Sequence, residues 1–319
     1  MINVLTSMKN VLDQSKDVKI IFEAINSLIS GVSKNDLQVS EISLAKRQWT
    51  LDNLLQIIFV FNTVNFCFWA GKGEKKWTVK VDGEELDGSE ALFRCIEKEV
   101  ERNTDFLTGD ELADLSRSHL RNVLAGNVTI PLFEERLKYL NEAGKILEKD
   151  YGNSFMGVYK KAGNDAVALA ELLITHFPCF DDTAEYKGNK IGFYKRAQLN
   201  SKMISDALIA NGEQGLKNLD KLTAFADYKI PQILRNLGVI KYSKELADKI
   251  DSYVPIEKGS EDEVEIRATT VWAVELIKQK LQKKYDFVTA SHVDSMLWNK
   301  SQTKAKGDKP YHRTLTTAY

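Results

Sequence analysis

The sequence predicts a mainly α protein: a single compact all-α domain spanning residues 1–319 and carrying one or two small β-hairpins. Apolar residues recur three and four apart along most of the chain, the spacing of amphipathic helices. Only five prolines occur in 319 residues, so few positions break a helix. There is no internal repeat and no Pro/Gly/Ser-rich linker, which makes one domain the economical organisation.

Taken in order, Ile20–Ile29 gives the first helical pattern, and Leu51–Phe66 the second and most apolar. The stretch LLQIIFVFNTVNFCFW (Leu54–Trp69) is short for a bilayer and is interrupted by Gln56, Asn62, Thr63 and Asn65, so a buried helix is expected. Trp77–Val81 alternates and runs into Asp82-Gly83, a hairpin signal. Helical patterns follow at Ser89–Val100, Pro131–Leu147 and Ala166–His176, then a second hairpin over Glu185–Phe193 that turns at Lys187-Gly188-Asn189. Tyr194–Ile209, Tyr242–Ile250 and Val264–Leu281 complete the long helices. Pro131 and Pro231 each follow an isoleucine and are expected at the first helical position. Ser260 with Glu263 forms a capping box that explains the acidic run Glu261–Glu263. The amphipathic segment His292–Lys300 reads as a last helix, and Lys300–Lys309 as a polar, lysine-rich connection to a short tail.

Composition narrows the function classes. With 44 basic against 45 acidic residues the net charge is -1, so no global positive field favours duplex nucleic acid or a phospholipid surface. Cys67, Cys95 and Cys179 form no CxxC pair and sit among apolar neighbours, as buried thiols in a reducing compartment do; a cytoplasmic location is expected. The four histidines, His119, His176, His292 and His312, show no zinc-ligand spacing, and neither metal nor cofactor is expected. Charges interrupt every apolar stretch of the N-terminus, unlike a secretory signal.

Four constellations could carry chemistry. The aromatic block Phe59, Phe61, Phe66, Phe68 and Trp69 is either core or a wall on which a flat base stacks. Lys195 and Arg196 open a helix, where the macrodipole disfavours cations; they are either an exposed pair or the holders of an anion such as a phosphate. Asp294 and Trp298 lie four apart, with Asn299 adjacent: a carboxylate, an indole and an amide that could read and stack a base, or the polar edge of an ordinary helix. Asp227, between Phe225 and Tyr228 in FADYKIPQILR, is either a helix cap or a reacting carboxylate. With Pro231 at the first helical position, Ile230 would be the capping residue, which weakens the cap.

NFCFW (Asn65–Trp69), IPLFEERLKYLNEAGKIL (Ile130–Leu147), FYKRAQ (Phe193–Gln198), FADYKIPQILRNLGVIKYS (Phe225–Ser243), EVEIRATTVWAVELI (Glu263–Ile277), DSMLW (Asp294–Trp298) and PYHR (Pro310–Arg313) resemble the queuosine 5′-phosphate N-glycosylase/hydrolase family, the queuosine salvage proteins, over roughly residues 50–319. The resemblance implies an all-α fold similar to helix-hairpin-helix DNA glycosylases. It implies hydrolysis of the N-glycosidic bond of queuosine 5′-monophosphate, giving queuine and ribose 5-phosphate. It also implies Asp227 as catalytic carboxylate, with Phe225, Asp294, Ser295 and Asn299 contacting the base. Lys195 and Tyr228 complete the expected substrate-binding set, with Lys195 or Arg196 holding the phosphate. Two departures stand out: Asn299 lies where the family often has an acidic residue, and no histidine precedes His119, whereas the family tends to place one upstream of NFCFW. A DNA-base glycosylase and a non-enzymatic queuine carrier remain the alternatives.

Overall fold

A computed structural model of the chain describes residues 3–38, 49–303 and 305–319. They form fourteen α-helices and three two-stranded antiparallel sheets, and the chain folds into two compact units.

The first unit comprises residues 1–40, 182–198 and 218–315. It contains α1 (Val4–Leu12), β1 (Val18–Ile20) and α2 (Phe22–Ser30), then the hairpin β4 (Thr183–Tyr186) and β5 (Asn189–Gly192) and the first turn of α10 (Lys195–Ala210). It continues with α11 (Lys229–Asn236), β6 (Ile240–Tyr242), α12 (Lys244–Asp251), α13 (Glu261–Gln282) and α14 (Ala290–Gln302). At its centre α13 packs on α1, α2, α11 and α14. Its Ile266, Ala273, Val274 and Ile277 join Ile25, Ile230, Leu234, Val239, Val293 and Leu297 in one core cluster. A helix buried on every side needs partners for each polar group it carries. Glu265 meets this need by accepting from Ser15 Oγ, the amides of Lys16 and Asp17, and the Tyr186 hydroxyl. The Ser260 cap is present, with Glu263 reaching back to the Gly259 amide.

The second unit comprises residues 41–181, 199–217 and 316–319. It holds α3 (Leu51–Thr63), the hairpin β2 (Thr78–Val81) and β3 (Glu84–Asp87), α4 (Gly88–Arg102), α5 (Gly109–Ala113) and α6 (Arg117–Val123). α7 (Phe133–Asp150), α8 (Phe155–Ala162), α9 (Ala166–His176) and the remainder of α10 follow. Phe59 of α3 stacks on Phe155 and meets Phe177 and Phe180, and Phe61, Phe66 and Phe68 are buried as well, so these four are core, whereas Trp69 is half-buried. The Asn62 amide donates to the Ile58 carbonyl one turn back.

Both predicted hairpins form in their expected places. The third ladder, β1 with β6, pairs segments from opposite ends of the chain and left no local signal. Four readings need correction. α3 ends at Thr63 and not at Phe66; just beyond it the buried Arg136 guanidinium takes the carbonyls of Val64, Phe66 and Cys67, which lie outside the helix. Ile20 and Tyr242, read as the starts of helices, are strand. Neither proline opens its helix: Pro131 lies two residues before α7, and Pro231 is the third residue of α11, where its missing N–H still costs no intrahelical bond. The Lys300–Lys309 connection begins inside α14, and residue 304 lies outside the described residues. Cys67, Cys95 and Cys179 are buried and form no disulfide among the described residues, and burial pushes Cys67 and Cys95 up to about 11. Among the described residues, no helix is long and apolar enough to cross a membrane.

Candidate active site

The first unit gathers four of the predicted site residues around one peptide segment, Phe225–Asp227. Asp227 is half-buried, and its Oδ1 accepts the amides of Lys229 at 2.7 Å and Ile230 at 3.0 Å. It therefore caps α11, because Pro231 stands two positions deeper than the sequence implied. Capping spends one carboxylate oxygen and fixes the rotamer. Among the described residues, no donor reaches Oδ2.

On the other side of the segment, the Phe225 amide donates to Oδ2 of the buried Asp294 at 2.8 Å, and the Phe225 ring is itself buried. This bond joins α14 to the Asp227 segment and explains why a carboxylate is tolerated in the apolar run of α14. Lys195 and Arg196, at the start of α10, are only 6% and 2% exposed, which overturns the exposed-pair reading. Burial pushes the Lys195 ammonium below its usual range, and the charges of Asp227 and Asp294 pull it back up. Lys195 thus feels both carboxylates. The Tyr228 ring is half-buried, with its centroid 4.9 Å from that of Tyr311. Ser295 is half-buried next to Asp294, whereas Trp298, 39% exposed, and Asn299 lie on the solvent side of α14. A separate groove of about 240 Å³ runs along α11 past Lys229, Gln232, Tyr253 and Tyr311. Its walls include none of the predicted site residues, so the carboxylates belong to the buried cluster and not to that groove.

Three residues that sequence reasoning gave no role also converge here. Arg267 of α13 donates through Nε to the Ala226 carbonyl at 3.1 Å and makes a bidentate pair with Asp182 at 2.8 and 2.7 Å. His312, in the tail, is buried and pushed down to about 3, first by burial and then by the Arg267 charge. Arg267 and His312 fall within the EVEIRATTVWAVELI and PYHR stretches; Asp182, ahead of a hairpin, carried no signal.

Two carboxylates, Asp227 at the start of α11 and Asp294 within α14, and the buried Lys195 at the start of α10 thus converge in one helical unit. The chain belongs to the queuosine salvage protein family, whose sequence model matches residues 45–319. A relative from Sphaerobacter thermophilus named queuosine 5′-phosphate N-glycosylase/hydrolase is 34% identical, covering 100% of this chain and 98% of its own length. Relatives of the same name from Mus musculus (33% identical; 82% of this chain, 81% of the relative) and Nematostella vectensis (30%; 97% and 96%) agree with it.

Proposed function

We propose that this protein hydrolyses the N-glycosidic bond of queuosine 5′-monophosphate and releases queuine for reuse in tRNA modification, with Asp227 as the reacting carboxylate. The single observation that carries the assignment of Asp227 is its divided carboxylate: Oδ1 is fixed by two amides, while Oδ2 takes no donor among the described residues. Breaking the bond builds positive charge on the ribose. An oriented carboxylate oxygen stabilises that charge or takes a proton from the attacking water. The 7-deaza base lacks the ring nitrogen that purine-releasing enzymes protonate, so hydrogen bonds to its pyrimidine edge must assist departure. Asp294 and Ser295 on α14 are assigned to that edge, with Phe225 and Tyr228 as apolar contacts and Asn299 as an outer one. Lys195 is assigned to the 5′-phosphate, whose remote binding energy orients the ribose. The family resemblance supports reading the helical fold as that of helix-hairpin-helix DNA glycosylases, and the buried thiols support a cytoplasmic location.

The test is Asp227→Asn. Asparagine keeps an oxygen to accept the α11 amides, so the fold persists while the charge is lost. Release of queuine from queuosine 5′-monophosphate, followed by chromatography, is expected to fall about 10³-fold or more. A folded Asp227→Asn protein that turns over like wild type removes the catalytic assignment. A wild-type protein that binds the nucleotide without releasing queuine is a carrier.

A further inference from the structure

Arg267 is 2% exposed, and the directions in which its nitrogens point are more specific than charge neutralisation requires. Its two terminal nitrogens take both oxygens of Asp182, at 2.8 and 2.7 Å, while Nε turns to a peptide carbonyl, that of Ala226, at 3.1 Å. The guanidinium lies 3.9 Å from the centre of the Phe193 ring, which fixes its plane.

Asp182 is the second half of the device. Its carbonyl accepts the amides of Phe193 and Tyr194 at 2.9 and 3.3 Å, and its Oδ2 accepts the amide of Lys195 at 3.0 Å. Tyr194 has φ of 53°, a left-handed conformation that is strained for a non-glycine residue. Three hydrogen bonds to one aspartate hold it there. The entry to α10 is therefore bent around Asp182, and Arg267 clamps Asp182.

The two segments that carry the proposed reacting groups, Phe193–Lys195 and Phe225–Asp227, are thus referenced to a single guanidinium on the central helix α13 of the unit. We propose that Arg267 is a positioning residue. It fixes the Ala226 peptide, and through it the Asp227 carboxylate, against the start of α10 that carries Lys195. The inference rests on the reading of Asp227 as the reacting carboxylate. Asp294 and the α11 cap hold the same segment at two further points, so loss of the Arg267 contact shifts the segment without releasing it. A lysine at this position preserves the charge opposite Asp182. As a point charge, it cannot serve Asp182 bidentately and the Ala226 carbonyl at once.

Arg267→Lys, Asp227→Asn and the double variant are compared by thermal melting and by steady-state release of queuine from queuosine 5′-monophosphate. Folded Arg267→Lys is expected to lose about 30- to 100-fold in kcat, the scale of an ångström-sized misplacement, with KM changed less than about 3-fold. Adding Arg267→Lys to Asp227→Asn is expected to slow the residual rate less than about 3-fold, because there is no reacting carboxylate left to misplace. Wild-type kcat in folded Arg267→Lys, a loss confined to KM, or fully additive losses in the double variant overturns the proposal. Full activity of Asp227→Asn instead overturns the catalytic reading on which it rests, so the two failures are distinguishable. If Arg267→Lys does not fold, Asp182→Asn loosens the clamp from its other side and is held to the same kcat and KM split. Failure of both to fold assigns the pair a structural role and overturns the proposal.

Discussion

At the residue scale, Asp227 shows that capping and reactivity are compatible in one side chain. Truncation to alanine removes both roles and costs about 1 kcal/mol of stability through the lost cap, which is why asparagine is the cleaner substitution. The sequence exposed Asp227 as anomalous but misjudged its cap, since it took Pro231 to open the helix; the proline is in fact third. His312 offers a pH test. Its folded value, about 3, lies below the ordinary 6.5, so between these limits the unfolded chain binds the extra proton. The stability tied to neutral His312 is complete above about pH 6.5 and is lost as the pH falls toward 3. Between pH 6.5 and 5 the loss is about 1.5 kcal/mol. Urea denaturation of wild type and His312→Asn at both pH values should show a smaller acid-side loss in the variant. Equal losses would mean that His312 does not stay neutral in the fold.

At the element scale, the periodic signal located the long helices, and α9 runs from Ala166 to His176 as expected. What it missed were short helices, such as α5 and α6, and helix ends decided by partners remote in sequence. α3 stops just before Val64, Phe66 and Cys67, whose carbonyls go to Arg136 of α7. A second such case is Gly144, inside α7: a Cβ there would collide with the backbone of Gly109, Leu112 and Ala113 of α5. In an exposed helix Gly→Ala would stabilise by up to about 1 kcal/mol. Here the collision reverses the sign, because the obstacle is backbone and cannot rotate away. Gly144→Ala should destabilise by about 1–3 kcal/mol in chemical denaturation. An unchanged or raised midpoint would show that the two helices separate without cost.

At the scale of the whole molecule, charge and topology were unequally legible. The balance of 44 basic and 45 acidic residues says that affinity for duplex DNA has no general electrostatic source. At low salt, where such binding is strongest, the protein should leave a labelled duplex unretarded on a gel. A salt-sensitive shift at micromolar protein would revive the DNA-base glycosylase alternative. Topology was hidden: each compact unit is assembled from separate stretches of chain, and β1 pairs with β6 through a register that no local pattern encodes. Periodicity, turn chemistry and charge count are local or additive properties, and so the sequence alone determined the helical class, both hairpins and the family, and marked Asp227. The surroundings of the Phe225–Asp227 segment are another matter. Asp294 at the Phe225 amide, Arg267 at the Ala226 carbonyl with Asp182 behind it, and the burial of Lys195 each join residues distant in the chain. Only the packing of α13 and α14 on that segment decides such contacts, because burial and hydrogen-bond geometry exist only once the helices have met.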